Sequence, residues 1–290
     1  MMIYKKFLNE IKKRNKFKYI IDNKNSYSGR KILDIIVMAT KIFCKKNVYL
    51  EIGVFRGNTL TNNAINNKSS ICIGVDNFSL FNKSKKNKEI VRKKIKKYKL
   101  KNAFLINSDF EKAISKIKKK IGVLFIDGPH DYRSQLIALL KYKSMLAKKC
   151  LIIIDDANYF HVRKANQDFI STNKEFSIIF QKYTKSHIAN SDNKQSLIDG
   201  YWNGINILGR CRIKKNIKFQ KNYNLLMDTF PLSHEIFRHY YFFNTPKILD
   251  TIYKFNKKKI NEKNFLKIIK NIKIPNQLKK QIKFRSQNIF

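Results

Sequence analysis

NVYLEIGVFRGNT, residues 47–59, is an apolar run that ends in a glycine turn with one glycine missing. Gly53 and Gly57 stand four residues apart, with Phe55 between them. In the G-x-G-x-x-G loop that holds a dinucleotide, the second glycine lets the backbone approach the pyrophosphate. Here Phe55 fills that place and Asn58 fills the third. The turn therefore predicts a nucleoside ligand without a diphosphate. Glu51 at the strand end points the same way, because a carboxylate repels phosphate but accepts hydrogen bonds from an ammonium or amide group.

Outward from this turn, strand and helix signals alternate. Strands are expected at 47–52, 71–75, 102–107, 122–126 and 150–155, with helices from about 57 and at 88–98, 109–119, 131–146 and 159–171. The strands VYLEI, ICIGV, VLFI and LIII are nearly all apolar, as a parallel sheet covered by helices on both faces requires. Two further strands, FSIIF at 176–180 and GINIL at 204–208, are separated by a polar loop at 182–199. Helical spacing at 2–15 and 29–46 precedes the first strand and predicts an N-terminal cover over residues 1–46. Residues 47–212 form the expected α/β domain. From 213 to 290 the chain turns Lys/Ile-rich, and Pro231, Pro246 and Pro275 divide it into short helical segments. Its aromatic cluster at Phe237, Tyr240, Tyr241, Phe242 and Phe243 suits packing on the main domain, a substrate lid, a dimer contact or a membrane-surface anchor.

The motifs identify a family resemblance over residues 45–210. EIGVFRGNT resembles the first motif of class I S-adenosylmethionine-dependent methyltransferases, GVDNF at 74–78 resembles the second, and IDGPHDY…LIIIDDA resembles the later strands of one branch. That branch includes metal-dependent small-molecule O-methyltransferases and cephalosporin-hydroxylase-like proteins. The resemblance implies a Rossmann-like doubly wound sheet, mostly parallel with an antiparallel last strand, helices on both faces and a helical C-terminal appendage. It also implies S-adenosylmethionine as cofactor, with Glu51, Gly53, Gly57, Thr59, Asp76, Asn77, Phe78, Ser108, Asp109 and Asp127 around it.

In open parallel sheets, ligands bind outside the carboxyl ends of the strands, and five of those ends carry acid. Asp76 follows Gly53 by 23 residues, near the spacing at which an acid accepts hydrogen bonds from ribose hydroxyls. Asn77 or Phe78 would flank the adenine, and Ser108 with Asp109 would meet its edge. Asp109 is equally an N-cap for the helix that begins FEKAI. Asp127, Asp155 and Asp156 stand at neighbouring strand ends, about 4.8 Å apart from strand to strand, close enough to share Mg²⁺ or a similar divalent cation. The resemblance supports this, since catechol-type and macrolide-sugar O-methyltransferases use carboxylates here. Asp155-Asp156 replaces the catechol-type Asp-Asn pair, which turns the expectation toward sugar-modifying enzymes. The alternative for these acids is a helix cap and solvent-facing charge. His130, three residues after Asp127, occupies the place of the catechol-type lysine base. It serves either as a general base near neutral pH or as an orienting loop residue, with His161 as the substitute. Trp202 and Asn203 either shape the pocket or pack the core.

Composition bounds the rest. The 290 residues carry 62 Lys and Arg against 20 Asp and Glu, a formal charge of +42. Such charge favours polyanions or anionic membranes. Only ten of the basic residues are arginine, however, and the lysines are spread among Asn and Ile. A nucleic-acid partner is therefore not favoured over solvated helix faces. Cys44, Cys72, Cys150 and Cys211 lack C-x-x-C spacing and are expected as core fillers. With neither a signal-peptide centre nor a run of about 20 apolar residues, the chain is expected to be cytoplasmic. The expected function is methyl transfer to a hydroxyl of a small molecule, a sugar or glycan precursor among the candidates, with Asp127 and His130 as catalytic residues. A homodimer and a peripheral membrane contact stay open. The rival readings are RNA methylation, against which the lack of an N-P-P-Y-like motif counts, and a non-catalytic protein that binds a polyanion or membrane.

Overall fold

The computed structural model describes residues 2–13, 17–19, 29–80, 86–184, 200–201, 203–211 and 251–270. Trp202, the aromatic cluster at 237–243, Pro231, Pro246 and Pro275 lie outside these residues. The chain divides into two compact units, Met1–Thr229 and Phe230–Phe290, and each is described by itself.

The first unit is built on a seven-stranded sheet: β1 (Val48–Ile52), β2 (Cys72–Asp76), β3 (Ala103–Asn107), β4 (Ile121–Ile126), β5 (Leu146–Ile154), β6 (Ser177–Lys182) and β7 (Ile205–Gly209). Their order is β3-β2-β1-β4-β5-β7-β6. The β1–β2, β1–β4, β2–β3 and β4–β5 pairs are parallel, and β7 runs antiparallel to both β5 and β6. The order reverses between β1 and β4, and in open parallel sheets ligands bind outside the carboxyl ends at such a point. The doubly wound expectation and the antiparallel final strand are both met.

Alternation along the strands sorts the apolar side chains into two cores. On one face Tyr49, Val123, Phe125, Leu151, Ile153 and Ile207 pack with α1 (Met2–Lys12) and α2 (Arg30–Phe43). Tyr4 and Phe7 of α1 are buried there, so the N-terminal cover belongs to the sheet's own core. On the other face Leu50, Leu124, Ile126, Ile152, Ile154 and Leu208 form a second core. Each such side chain contributes about 1.5–3 kcal/mol by leaving water. The intervening helices are α3 (Asn58–Asn66), α4 (Asn87–Lys97), α5 (Phe110–Ala113), α6 (Tyr132–Tyr142) and α7 (Phe160–Thr172). Cys44, Cys72 and Cys150 are buried as free thiols.

Two elements depart from their expected lengths. The helix expected at 109–119 shrinks to α5 and a 3-10 turn at Ile114–Lys116, because Ile117 turns extended to bury its side chain. The helix expected to reach 146 stops at Tyr142, and β5 starts at Leu146 rather than at 150. Leu146 is buried opposite Ile121 of β4, and that pairing outweighs the local helical spacing.

In the second unit, residues 251–256 are helical and a further helix spans Glu262–Lys270. Phe255 and Phe265 stack there with ring centroids 4.6 Å apart.

Candidate active site at the carboxyl rim of the sheet

The first-motif turn is locked by close packing. Gly53 has φ +89°, and a Cβ there would lie 1.9 Å from the carbonyl oxygen of Asp127. Only glycine allows β1 and β4 to close on each other at that point. Gly57, at φ +74°, caps α3, and Thr59 is buried in its first turn.

Asp76 organises the two loops on either side of it. Its Oδ2 accepts the N–H groups of Val54 and Phe55, both at 2.8 Å, and its Oδ1 accepts that of Phe78 at 2.6 Å. Phe55 and Phe78 have φ of +52° and +53°, a conformation that costs an L-residue roughly 1–2 kcal/mol. The charge-assisted hydrogen bonds offset that strain. Burial pushes the Asp76 carboxyl above its ordinary pKa, against the lowering effect of those three donors. A carboxylate has about four lone-pair sites, so acceptor capacity remains for a ribose hydroxyl.

Asn77 is exposed and donates to Asp109 Oδ2 at 3.1 Å, while Asp109 Oδ1 accepts the Glu111 N–H at 2.8 Å. The N-cap reading of Asp109 therefore holds, and its second oxygen ties the β3 loop to the β2 loop. Ser108 joins the same junction, its N–H donating to the Asp76 carbonyl at 3.2 Å. Phe78 is buried in the α2-side core.

Glu51 is 1 % exposed and accepts a 2.7 Å hydrogen bond from the Tyr49 hydroxyl. Burial raises its pKa to about 8, the tyrosine bond opposes the rise, and the charge of Asp76 adds to it. Tyr49 was not foreseen as a site residue. The signal was present, since residues i and i+2 of a strand share a face.

Around β4 and β5 the acids converge with a histidine. Single ligand atoms of Asp127, His130 and Asp156 all lie within 4.8 Å of one another. His130 Nε2 is 2.8 Å from Asp156 Oδ2, and its ring stacks on Tyr159 at 5.6 Å and 11°. Asn203 donates to the other Asp156 oxygen at 2.8 Å. Asp156 itself sits at φ +55°, a backbone state that persists only where its surroundings enforce it. Asp155, the third expected ligand, stands outside this group, and its Oδ1 accepts the Asp156 N–H at 2.9 Å. Burial, followed by the charges of Asp155, Asp156, Glu51 and Asp76, pushes the Asp127 carboxyl well upward, and Asp155 is raised by burial and by Asp156. The cluster thus favours either bound protons or a cation. His161 lies in the first turn of α7 with its ring against Phe160.

Residues 50–157 match the family model of a methyltransferase domain. This segment runs from β1 through the acids after β5, so the matched region contains the whole rim from Glu51 to Asp156. With the β3-β2-β1-β4-β5-β7-β6 order, the matched segment is similar to a class I methyltransferase domain. No curated protein matches the sequence significantly. Among solved structures, the fold is similar to cofactor-bound Rv0187 from MTB, at 11 % identity and TM-score 0.48 over 73 % of this chain and 91 % of that one. It is similar to the O-methyltransferase from Bacillus cereus in complex with SAH, at 14 % identity and TM-score 0.45 over 72 % and 91 %. An rRNA methylase from Streptococcus thermophilus gives 12 % and 0.44 over 60 % and 92 %.

Proposed function

We propose that the chain is an S-adenosylmethionine-dependent methyltransferase acting on a hydroxyl group of a small molecule, a sugar or glycan precursor being the preferred class. The supporting observation is the His130–Asp156 contact of 2.8 Å beside Asp127. A carboxylate on one ring nitrogen fixes the tautomer and leaves the other nitrogen to take a hydroxyl proton. Tyr159 holds the plane of the ring, and Asn203 holds the carboxylate. The acceptor oxygen then receives the methyl group in line with the departing sulfur, which positioning near 3 Å can promote. Asp76 and the amides of Val54 and Phe55 would form the ribose side of the donor pocket, and Glu51 would face the donor's positive charge.

The donor set also suits a divalent cation. Asp127 and Asp156 offer carboxylate oxygens, as Mg²⁺ prefers, and His130 as a third ligand would favour Mn²⁺ or a similar metal. When bound, the cation would lower the pKa of the acceptor hydroxyl and orient it. No described helix is long and apolar enough to cross a membrane, and a cytoplasmic location is part of this proposal.

Calorimetric titration with S-adenosylmethionine, with and without Mg²⁺ or Mn²⁺, tests the reading. Saturable binding is expected, with Asp76→Ala weakening it at least about 30-fold, through loss of its ribose hydrogen bond and of the three backbone bonds that order the flanking loops. Asp156→Ala should retain donor binding and lose turnover on a panel of hydroxylated acceptors. Unchanged donor affinity in Asp76→Ala would defeat the proposal.

A further inference from the structure

The amino end of the sheet holds a second built feature, at KYKSMLAKKC, residues 141–150. Ile121 pairs with Leu146 and Val123 with Leu151, so residues 147–150 stand opposite Gly122 alone. Irregularities in strand pairing re-aim side chains. This one is held from both sides. Arg210 donates to the carbonyls of Leu146, Ala147 and Lys143 at 3.4, 3.3 and 3.2 Å, and the Tyr4 hydroxyl donates to the Cys150 carbonyl at 3.3 Å. Its exposed product is the pair Lys148 and Lys149.

With Lys46, Lys120, Lys143 and Arg210, this pair lines a cleft of about 810 Å³. Six of its eleven lining residues are cationic and none is acidic, whereas 62 of 290 in the chain would place about two there. Lys143 is shared with Glu175 at 3.2 Å, and Lys120 donates to the Ser144 carbonyl at 2.8 Å. Lys46, Lys148 and Lys149 have no hydrogen-bond or ion-pair partner among the described residues.

We propose that this cleft binds the phosphodiester backbone of a nucleic acid. Its contacts are lysine point charges, because the one guanidinium in the lining is engaged by carbonyl groups; such a site reads phosphate rather than base edges. Among the described residues no aromatic side chain lines the cleft, so recognition rests on phosphate and is independent of sequence. The same lack of aromatic anchors, together with the concave shape, disfavours a flat bilayer. The cleft lies one strand length, roughly 17–20 Å, from the His130 rim. The nucleic acid is therefore a tethering partner separate from the methyl acceptor.

The test is fluorescence anisotropy of a labelled twelve-nucleotide oligouridylate with the full chain over a salt series. Three phosphate contacts predict a log–log salt slope of about −2, at roughly 0.7 per contact for single strands. The triple variant K46E/K148E/K149E should weaken binding at least about tenfold and flatten that slope. K148Q/K149Q should fall in between. A control on α1, K5E/K6E/K12E, should change affinity by less than about threefold. Donor titration and melting curves of the variants report intact folding. Equal loss in both triple variants would mean diffuse charge alone and would overturn the proposal. So would failure to bind the oligonucleotide while phosphatidylserine vesicles bind in a manner that depends on Lys148 and Lys149.

Discussion

At the carboxyl end of the sheet, Glu51, Asp76, Asp127, Asp155 and Asp156 are drawn together under cover, and every one has its pKa raised or its oxygens tied to donors. At the amino end Lys46, Lys120, Lys148 and Lys149 stand in solvent. One cause contributes to both patterns. In an α/β sheet the helices run against the strands, so their N-termini gather at the acidic rim and their C-termini at the basic end, where the macrodipole favours each sign. Asp109 and Asp131 cap α5 and α6 at the first, and Lys97 and Lys141 close α4 and α6 at the second. The difference lies in solvation. Buried acids are costly until a cation or proton joins them, whereas exposed lysines cost little and act at a distance.

The sharpest break between the two ends should appear in turnover. His130→Ala is expected to lower the methyl-transfer rate about 10²–10⁴-fold with donor affinity retained, the usual loss for a general base. Lys148→Ala should leave the rate within about twofold. Rate assays against calorimetry decide, and equal sensitivity at both ends would abolish the contrast.

Stability comes next, through two glycines at opposite ends. A Cβ at Gly53 would meet the Asp127 carbonyl oxygen at 1.9 Å, and one at Gly122 would meet that of Phe43 at 2.2 Å. Gly53 alone of the two also has a left-handed φ. Gly53→Ala should therefore cost about 3–5 kcal/mol in denaturant unfolding and Gly122→Ala somewhat less. The reverse order would show that the acid rim is not the more tightly determined end.

The smallest effect is a pH dependence. The Glu51 carboxyl holds its proton longer in the folded chain than in the unfolded one, with its pKa moved from 4.5 to about 8. The stability linked to it is therefore complete below the unfolded value and is lost as pH rises through the folded one. Thermal melts should fall between pH 5 and pH 8, and Glu51→Gln should flatten that fall by roughly 1–3 kcal/mol, a few degrees. S-adenosylmethionine, with its positive charges, should restore more stability at pH 8 than at pH 6. A melt profile that Glu51→Gln leaves unaltered would remove Glu51 from the group of strained acids.

The architecture was legible because it rests on local signals. Apolar runs such as VYLEI and VLFI suit strands covered on both faces, and glycine at 53 followed by acids at successive strand ends marks the carboxyl rim. Asp109 as a cap was equally readable from the helix that follows it. Those features depend on a few neighbouring residues, whose backbone options are narrow whatever the rest of the chain does.

Partnership between side chains was not legible in the same way. The sequence gathered Asp127, Asp155 and Asp156 as one acidic set, but the fold joins Asp127 and Asp156 to His130, and Asp155 turns to the Asp156 amide. A left-handed φ at Asp156 and the reach of Asn203, 47 residues away, set that choice. Likewise β5 began four residues early, since Leu146 found its partner in Ile121 across the sheet. Sequence by itself determined the elements, their order and the rim on which the acids stand. Only tertiary structure decided which oxygen faces which nitrogen, because that depends on distances of an ångström or two between residues that the chain keeps far apart.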